Sequence, residues 1–237
     1  MAGNGARMID PGFFVSIVPA LLAGLPLTLQ LAGTSLALGF VLAVALALAQ
    51  LGEHRAVVWP IRAFVAVFRG TPLLIQIFLV YYGFGQFRPE LQAVGLWWLL
   101  REPYWCAIFA LTLNTAAYGS EILRGAIRGV PRGLVEAASA FGMSRLLTLR
   151  LVVLPLAFRQ AIPSYGNEII LMVKGTSLAS IITLMEVTGI AQGLISQTYR
   201  AVEVFAAAGA IYLALNFTII RALNALEHWL TPYRARA

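Results

Sequence analysis

Pro131-Arg132-Gly133-Leu134-Val135-Glu136-Ala137-Ala138-Ser139-Ala140-Phe141-Gly142-Met143-Ser144, followed after seven residues by Val152-Val153-Leu154-Pro155, decides how this chain is read. It is a polar-flanked hinge between very apolar segments. Pro131 opens a short helix, and Leu134, Ala137, Ala138 and Phe141 share one of its faces at helical spacing. Gly142 is suited to the left-handed conformation that ends a helix, and Ser144 to capping the next one. Two short helices at an angle are therefore expected over 132–150, with Arg145 and Arg150 on the second. Glu136 is expected near the first turn of the first helix, where the helix dipole favours an anion. Small alanines let another surface come close, so the expected product is a compact, rigid knob shaped for a groove on a partner. Helix–glycine–helix alone would be read more plainly as an amphipathic interfacial loop.

The apolar flanks set the class. Of 237 residues, 60% are hydrophobic and 11% charged, against roughly 45–50% and about 25% in ordinary globular chains. Several runs exceed the length that an apolar bilayer-crossing helix needs. The expectation is an all-α polytopic membrane protein forming a single transmembrane domain over 1–237. The net charge of +7 does not point to nucleic acid. Basic residues sit at the ends of apolar segments, and no basic–aromatic interleaving suited to base stacking is present. The single cysteine, Cys106, allows no internal disulfide and is read as packing rather than chemistry. The N-terminal segment, with Asp10 and prolines around a broken apolar run, is read as a short interfacial stretch rather than a cleaved signal peptide.

Five spans are expected, over 24–51, 57–84, 103–128, 156–174 and 202–229. A loop is expected at Gln86–Glu90. Trp97, Trp98 and Arg101 form an interfacial belt before the third span. The segment 177–195 is apolar but interrupted by Glu186, Gly189 and Gly193, and charge counting arbitrates its topology. With five spans and the N-terminus outside, twelve basic residues fall inside: Arg55, Arg62, Arg69, Arg124, Arg128, Arg132, Arg145, Arg150, Arg159, Arg221, Arg234 and Arg236. Five fall outside: Arg7, Arg88, Arg101, Lys174 and Arg200. A sixth span would strand Arg234 and Arg236 outside, so 177–195 is taken as re-entrant or surface-lying. The hinge and the C-terminus then lie on the cytoplasmic side of the membrane and the N-terminus on the outer side.

The spaced pattern Glu136-Ala137-Ala138, Gly142, Leu154-Pro155 resembles the cytoplasmic coupling motif of ATP-binding-cassette (ABC) importer permeases. Arg69-Gly70-Thr71-Pro72-Leu73-Leu74-Ile75-Gln76 resembles the R-G-T-P-L-L-x-Q signature of their polar amino acid branch. Asn114-Thr115-Ala116-Ala117-Tyr118, with Glu121, Ile122, Arg124 and Gly125, resembles its N-x-A-A-Y-x-x-E-I-x-R-G segment. Asn167-Glu168, then Lys174-Gly175-Thr176-Ser177-Leu178, resembles its N-E-x-x-x-x-x-K-D-T-S-L segment, with Gly175 where many members carry Asp. Leu99-Leu100-Arg101-Glu102 before the third span is similar to the histidine/lysine/arginine/ornithine and opine subunit type. The resemblance covers about residues 20–230. It implies a type I importer permease with a cytoplasmic coupling helix, in which Glu136, Ala137, Ala138, Gly142, Leu154 and Pro155 engage an ATPase. The implied partners are a paralogous permease subunit, two ABC ATPases and a periplasmic amino-acid-binding protein. ATP and Mg would be bound by the ATPases and no cofactor by this chain, which has no G-x-x-x-x-G-K-[ST] phosphate loop.

Charged residues inside lipid are costly and functional by default. Glu168 falls near the midplane of the fourth span and is read as pairing a solute ammonium, the alternative being a structural pair with an arginine or a hydrogen bond to neighbouring helices. Glu121, one and two turns from Arg124 and Arg128, is read as a structural or gating ion pair ahead of a solute contact. Asn114 and Tyr118 share its face and either line the pathway or join helices. Asn167 and Lys174 complete the candidate pathway set, and Arg69 is read as an interfacial anchor or ATPase contact. The missing acid at Gly175 weakens arginine or lysine as solute and leaves room for histidine, an opine or a neutral polar amino acid. A gradient-driven secondary transporter is the alternative function, but no internal repeat supports it. An intramembrane enzyme lacks a constellation, since His54, His228 and Cys106 do not suggest one.

Overall fold

A computed structural model describes residues 10–52 and 54–230. Arg7, Glu53, Arg234 and Arg236, and the expected placement of the two termini, lie outside the described residues. The described residues form helices and turns with no strand: α1 Pro11–Leu22, α2 Leu25–Ala49, α3 Arg55–Gly70, α4 Leu73–Gln86, α5 Arg88–Ala93, α6 Trp97–Leu100, α7 Pro103–Arg128, α8 Arg132–Ala140, α9 Arg145–Thr148, α10 Leu154–Gly175, α11 Val187–Thr198 and α12 Ala201–Leu230. A π-turn at Leu149–Val153 joins α9 to α10, and a 3-10 turn at Thr176–Ile182 extends α10.

Helix α7 is the central element. It packs along α2, whose buried positions Thr28, Ala32, Ser35, Gly39, Ala43 and Ala47 form a stripe of small side chains. Lipid supplies little hydrophobic drive between helices, so close packing of small residues carries the seam. Gly39 shows why: a Cβ there would lie 2.1 Å from Thr115 Cγ2 and 3.2 Å from the Thr112 carbonyl. Leu31, Ile77, Cys106, Leu111, Met172 and Ile182 fill the core around α7, bringing α4, α10 and the 3-10 turn onto it. Cys106 is fully buried there and its thiol donates to the Leu100 carbonyl at 3.1 Å, which joins α6 to α7.

Among the described residues, four helical axes are long and apolar enough to cross a bilayer: α2, α7, Arg145–Ile182 and α12. The expected second span, 57–84, is not one helix. It is broken into α3 and α4, bent by 108° at Gly70–Pro72, where proline cannot continue the α3 hydrogen-bond ladder. With each arm tilted by half that angle, the two would rise about 14 and 12 Å at 1.5 Å per residue. Their sum approaches the ~30 Å apolar thickness, so the bent pair is long enough to serve as a fifth crossing.

Three other expectations are corrected. The fourth helical axis is not confined to 156–174: Arg145–Ile182 runs for 38 residues, so the second helix of the hinge is the foot of this axis rather than a separate element. The π-turn lies where Pro155 needs it, because the proline ring would collide with the Leu151 carbonyl of a regular helix. The expected loop at 86–90 is helical from Arg88 onward, and the Arg88 guanidinium sits 5.5 Å from the Trp97 ring centroid. Finally, α1 and α11 are not isolated stretches but pack together with α12. Ile17, Leu21, Val187, Ala191, Val204 and Ala207 bury one another between α1, α11 and α12. Helix α11 has 12 residues, about 18 Å, too short to cross alone.

Candidate functional site

The hinge is an exposed apolar knob. Helix α8 ends in a Schellman turn: the Met143 N–H reaches the Ala138 carbonyl at 3.1 Å, and the Gly142 N–H reaches that of Ser139 at 3.0 Å. Gly142 has φ +77°, the left-handed region that a glycine occupies without a Cβ penalty. Ser144 Oγ accepts from the Leu147 N–H at 3.3 Å and caps α9. Of the expected apolar face, Ala138 is buried against the body while Leu134, Ala137 and Phe141 are exposed. Phe141 is 88% exposed and Leu146 74%. Glu136 is the fifth residue of α8, beyond the first turn, so the expected dipole contact is not made there. Leu154 and Pro155 begin α10 just after the π-turn, partly exposed beside the knob.

The second place is a cavity of about 250 Å³ behind the α3–α4 break, walled by Thr71, Pro72, Leu73, Asn114, Tyr118, Glu168, Leu171 and Met172. The break leaves carbonyls without helical partners, and one side chain satisfies them. Gln76 Nε2 donates to the Phe68 carbonyl at 2.8 Å, the Thr71 carbonyl at 3.0 Å and Thr71 Oγ1 at 2.9 Å. Asn114 Nδ2 in turn donates to Gln76 Oε1 at 2.9 Å. The bend is thereby stitched to α7, and Thr71–Leu73 is held as one wall of the cavity. Asn114 thus both joins helices and faces the cavity, the two roles left open by the sequence.

Glu168 forms the opposite wall. It is 5% exposed, and among the described residues no arginine, lysine or histidine lies within 4.0 Å of its carboxylate. The structural arginine pair is therefore not formed. Tyr118 lies one turn below Asn114 on α7, with the Arg69 guanidinium 5.3 Å from its ring centroid and its hydroxyl 3.4 Å from the Arg69 carbonyl. Three of the expected pathway residues, Asn114, Tyr118 and Glu168, thus meet in one cavity.

The others do not. Asn167 is exposed on another face of α10, since adjacent helical residues point about 100° apart. Lys174 opens onto a separate hollow of about 330 Å³ with Ser177, Thr188, Phe205 and Tyr212. Glu121 points away from Glu168, into an ion cluster: Arg124 Nε lies 2.8 Å from its Oε1, Arg124 Nη2 contacts its Oε2, and Arg69 Nη1 lies 3.8 Å from it. Arg69 is thus a structural partner of Glu121 and Tyr118.

Two functional features escaped the sequence reading. Gln76 was quoted within a motif but given no role, although a glutamine four residues after a Thr-Pro break in an apolar run is the available signal. Glu186 was read only as an interruption. It is fully buried, caps α11 by accepting from the Thr188 and Gly189 N–H groups at 2.9 Å each, and receives the Tyr212 hydroxyl at 2.7 Å.

An exposed knob at the end of the membrane helices, beside a buried carboxylate facing a cavity, is the arrangement of a driven solute pathway. The family of binding-protein-dependent transport system inner membrane components matches residues 35–232. The chain belongs to this family. The octopine transport system permease protein OccM of Rhizobium meliloti is 54% identical over 227 residues, 96% of this chain and 92% of that protein. The nopaline permease protein NocM of Agrobacterium fabrum is 52% identical over 229 residues, covering 96% and 95%. The arginine ABC transporter permease ArtM of Escherichia coli K12 is 47% identical over 179 residues, covering 76% and 80%. A crystal structure of an amino acid ABC transporter with histidines superposes with TM-score 0.82 at 30% identity, covering 93% of this chain and 98% of that one. The methionine transporter MetNI, at 20% identity and TM-score 0.72, shares the fold. The chain is a multi-pass permease of the ABC-importer type, a family that works with ATPase and substrate-binding subunits. The gradient-driven alternative gains nothing from these likenesses.

Proposed function

We propose that the chain forms half of the solute pathway of an ATP-driven importer for a polar amino acid or opine, beside a paralogous permease subunit. Glu168 carries the reading. A nearly buried carboxylate without a cation, on the wall of an amino-acid-sized cavity, is arranged to receive the ammonium or side-chain cation of a solute. The names of relatives that act on octopine, nopaline and arginine support the solute class. Gly175, where many resembling sequences carry Asp, bears on the choice within it. A Cβ at this position would meet Leu73 Cδ2 at 3.0 Å, and Leu73 lines the cavity, so an acid there would reshape the same wall.

The knob supplies the drive. Phe141, Leu134 and Leu146 offer apolar surface left exposed by the described residues, with exposed Arg132, Arg145 and Arg150 on the same two helices, and one of the two ATPases carrying ATP and Mg would seat it. Glu136, Ala137, Ala138 and Gly142 shape that contact, and Leu154 with Pro155 passes its movement into the Arg145–Ile182 axis. The arginines around the knob support, by the positive-inside bias, a reading with the knob on the cytoplasmic side of a bacterial inner membrane, the N-terminus in the periplasm and the C-terminus in the cytoplasm.

The test is reconstitution in nanodiscs with the companion permease, the ATPase and the binding protein, followed by ATPase assays with candidate solutes. Solute-loaded binding protein should stimulate hydrolysis. Glu168→Gln should leave the complex assembled and reduce stimulation by about tenfold or more, from loss of a desolvated ion pair. Stimulation equal to wild type, or solute movement without ATP, would refute the proposal.

A further inference from the structure

A second cavity, of about 440 Å³, opens at the end of the helices that carries the knob. Its walls bring together Arg62 and Arg69 from α3, Glu121, Arg124 and Arg128 from α7, and Gln50 at the end of α2. Four guanidinium groups face one carboxylate, and that carboxylate is already taken. Arg124 grips Glu121 with two nitrogens, and Arg69 approaches it at 3.8 Å. Among the described residues, Arg62 and Arg128 have no acidic partner within 4.0 Å. An independent feature points to the same missing group. Gln50 is 2% exposed, and its Nε2 is turned toward Glu121 without reaching a hydrogen bond to any acceptor among the described residues.

A buried amide donor without an acceptor is costly, and the surplus of guanidinium groups around one carboxylate gives the cavity a positive field that attracts anions. Both are answered by one kind of ligand. Guanidinium has donors and no acceptor, and its planar fork matches the oxygens of a phosphate two at a time. We infer that this cavity binds a phosphate-type anion, with Arg62, Arg128 and Gln50 as its principal donors and the Glu121–Arg124 pair as its fixed wall. Two sources share that chemistry: the headgroup of an anionic phospholipid in the inner leaflet, and free phosphate or a soluble phosphomonoester. Exposed Trp59 and Val67 on α3 place apolar surface on the helix that carries Arg62, which favours the lipid. The site is distinct from the Glu168 cavity and does not depend on which solute is carried.

Native mass spectrometry of the full chain, titrated with phosphatidylglycerol, phosphatidylcholine or inorganic phosphate, tests it. Phosphatidylglycerol should saturate at one tight site per chain and phosphatidylcholine should not. Arg62→Gln/Arg128→Gln, at two exposed positions compatible with folding, should weaken binding by about tenfold or more. Gln50→Leu should weaken it less. The charge-matched control Arg159→Gln/Arg221→Gln, elsewhere on the chain, should bind as wild type. Saturable binding of inorganic phosphate alone, lost in the double variant, would uphold the site and assign it to a soluble anion. Equal binding by wild type and double variant for both probes, or equal loss in the control, would overturn the inference.

Discussion

Gln76→Leu would remove the side chain that closes the α3–α4 bend. It deletes the four hydrogen bonds described above, to two carbonyls, one hydroxyl and the Asn114 amide. Interhelical hydrogen bonds in membrane proteins average about 0.6 kcal/mol, and the two amide N–H groups share three acceptors, so with the Asn114 bond roughly 2 kcal/mol is expected. Gln76 is 5% exposed, so little water reaches its partners to replace what is lost. Leucine nearly conserves the volume, which leaves little cavity cost to confuse the reading. For a chain of this size, about 2–4 °C of Tm per kcal/mol gives an expected fall of roughly 4–8 °C in scanning fluorimetry of the purified chain. The loss should also appear as faster hydrogen exchange confined to the segment from Phe68 to Gln76. Asn114→Leu added to Gln76→Leu should cost less than the sum of the two single changes, because their shared bond can be lost only once. A Tm within about 2 °C of wild type, with exchange at the bend unchanged, would refute the claim that Gln76 holds it.

Further outcomes follow from the same geometry. Gly142→Val places a β-branched residue at φ +77°, so the chain should insert and assemble while ATP hydrolysis runs free of uptake; normal coupled uptake would refute the hinge account. Gly39→Leu must part α2 from α7, since even its Cβ would overlap Thr115, and should cost about 1–3 kcal/mol or more in thermal stability. Asp10 caps α1 and pairs with Arg200 at 3.5 Å, and the Phe13 and Gly12 N–H groups hold its carboxyl below the usual carboxylate value. A depressed folded value means that its contribution is present at neutral pH and is lost only as pH falls below the ordinary aspartate value and through the folded one. Hydrogen exchange in α1, corrected for intrinsic rate, should therefore be unchanged from pH 8 to 5 and rise only in stronger acid; a rise near pH 6 would contradict this assignment.

Composition, apolar run length and turn chemistry made the class and the knob legible without coordinates. Gly142 needs only its own backbone to end a helix, and Ser144 only the next turn to cap one, so both features can be read along the chain. Local patterns also carried the family, because its motifs recur at fixed spacing. The α3–α4 bend was not legible as geometry. Thr71-Pro72 signals a break, but the 108° angle depends on Gln76 reaching back and on α7 offering Asn114. The same limit explains the fourth axis: nothing local distinguishes two hinged helices from one that continues through a π-turn.

The candidate site divides along the same line. Glu168, Glu121 and Glu186 stand out as charges in apolar sequence, but only the nearest of their partners can be read along the chain. Glu186 adds the Tyr212 hydroxyl to the Thr188 and Gly189 N–H groups of its own helix, Glu121 adds Arg69 to its near neighbour Arg124, and Glu168 meets no cation among the described residues. Helical periodicity alone fixes which side a residue takes on its own helix. The sequence by itself therefore determined that this is a helical membrane permease with a cytosol-type coupling knob, since hydrophobic length and turn residues act over a few positions. Only the tertiary structure decided that Glu168 faces a cavity without a cation while Glu121 gains Arg69 beside its neighbour Arg124, because which helices pack together fixes which remote side chains a buried carboxylate meets.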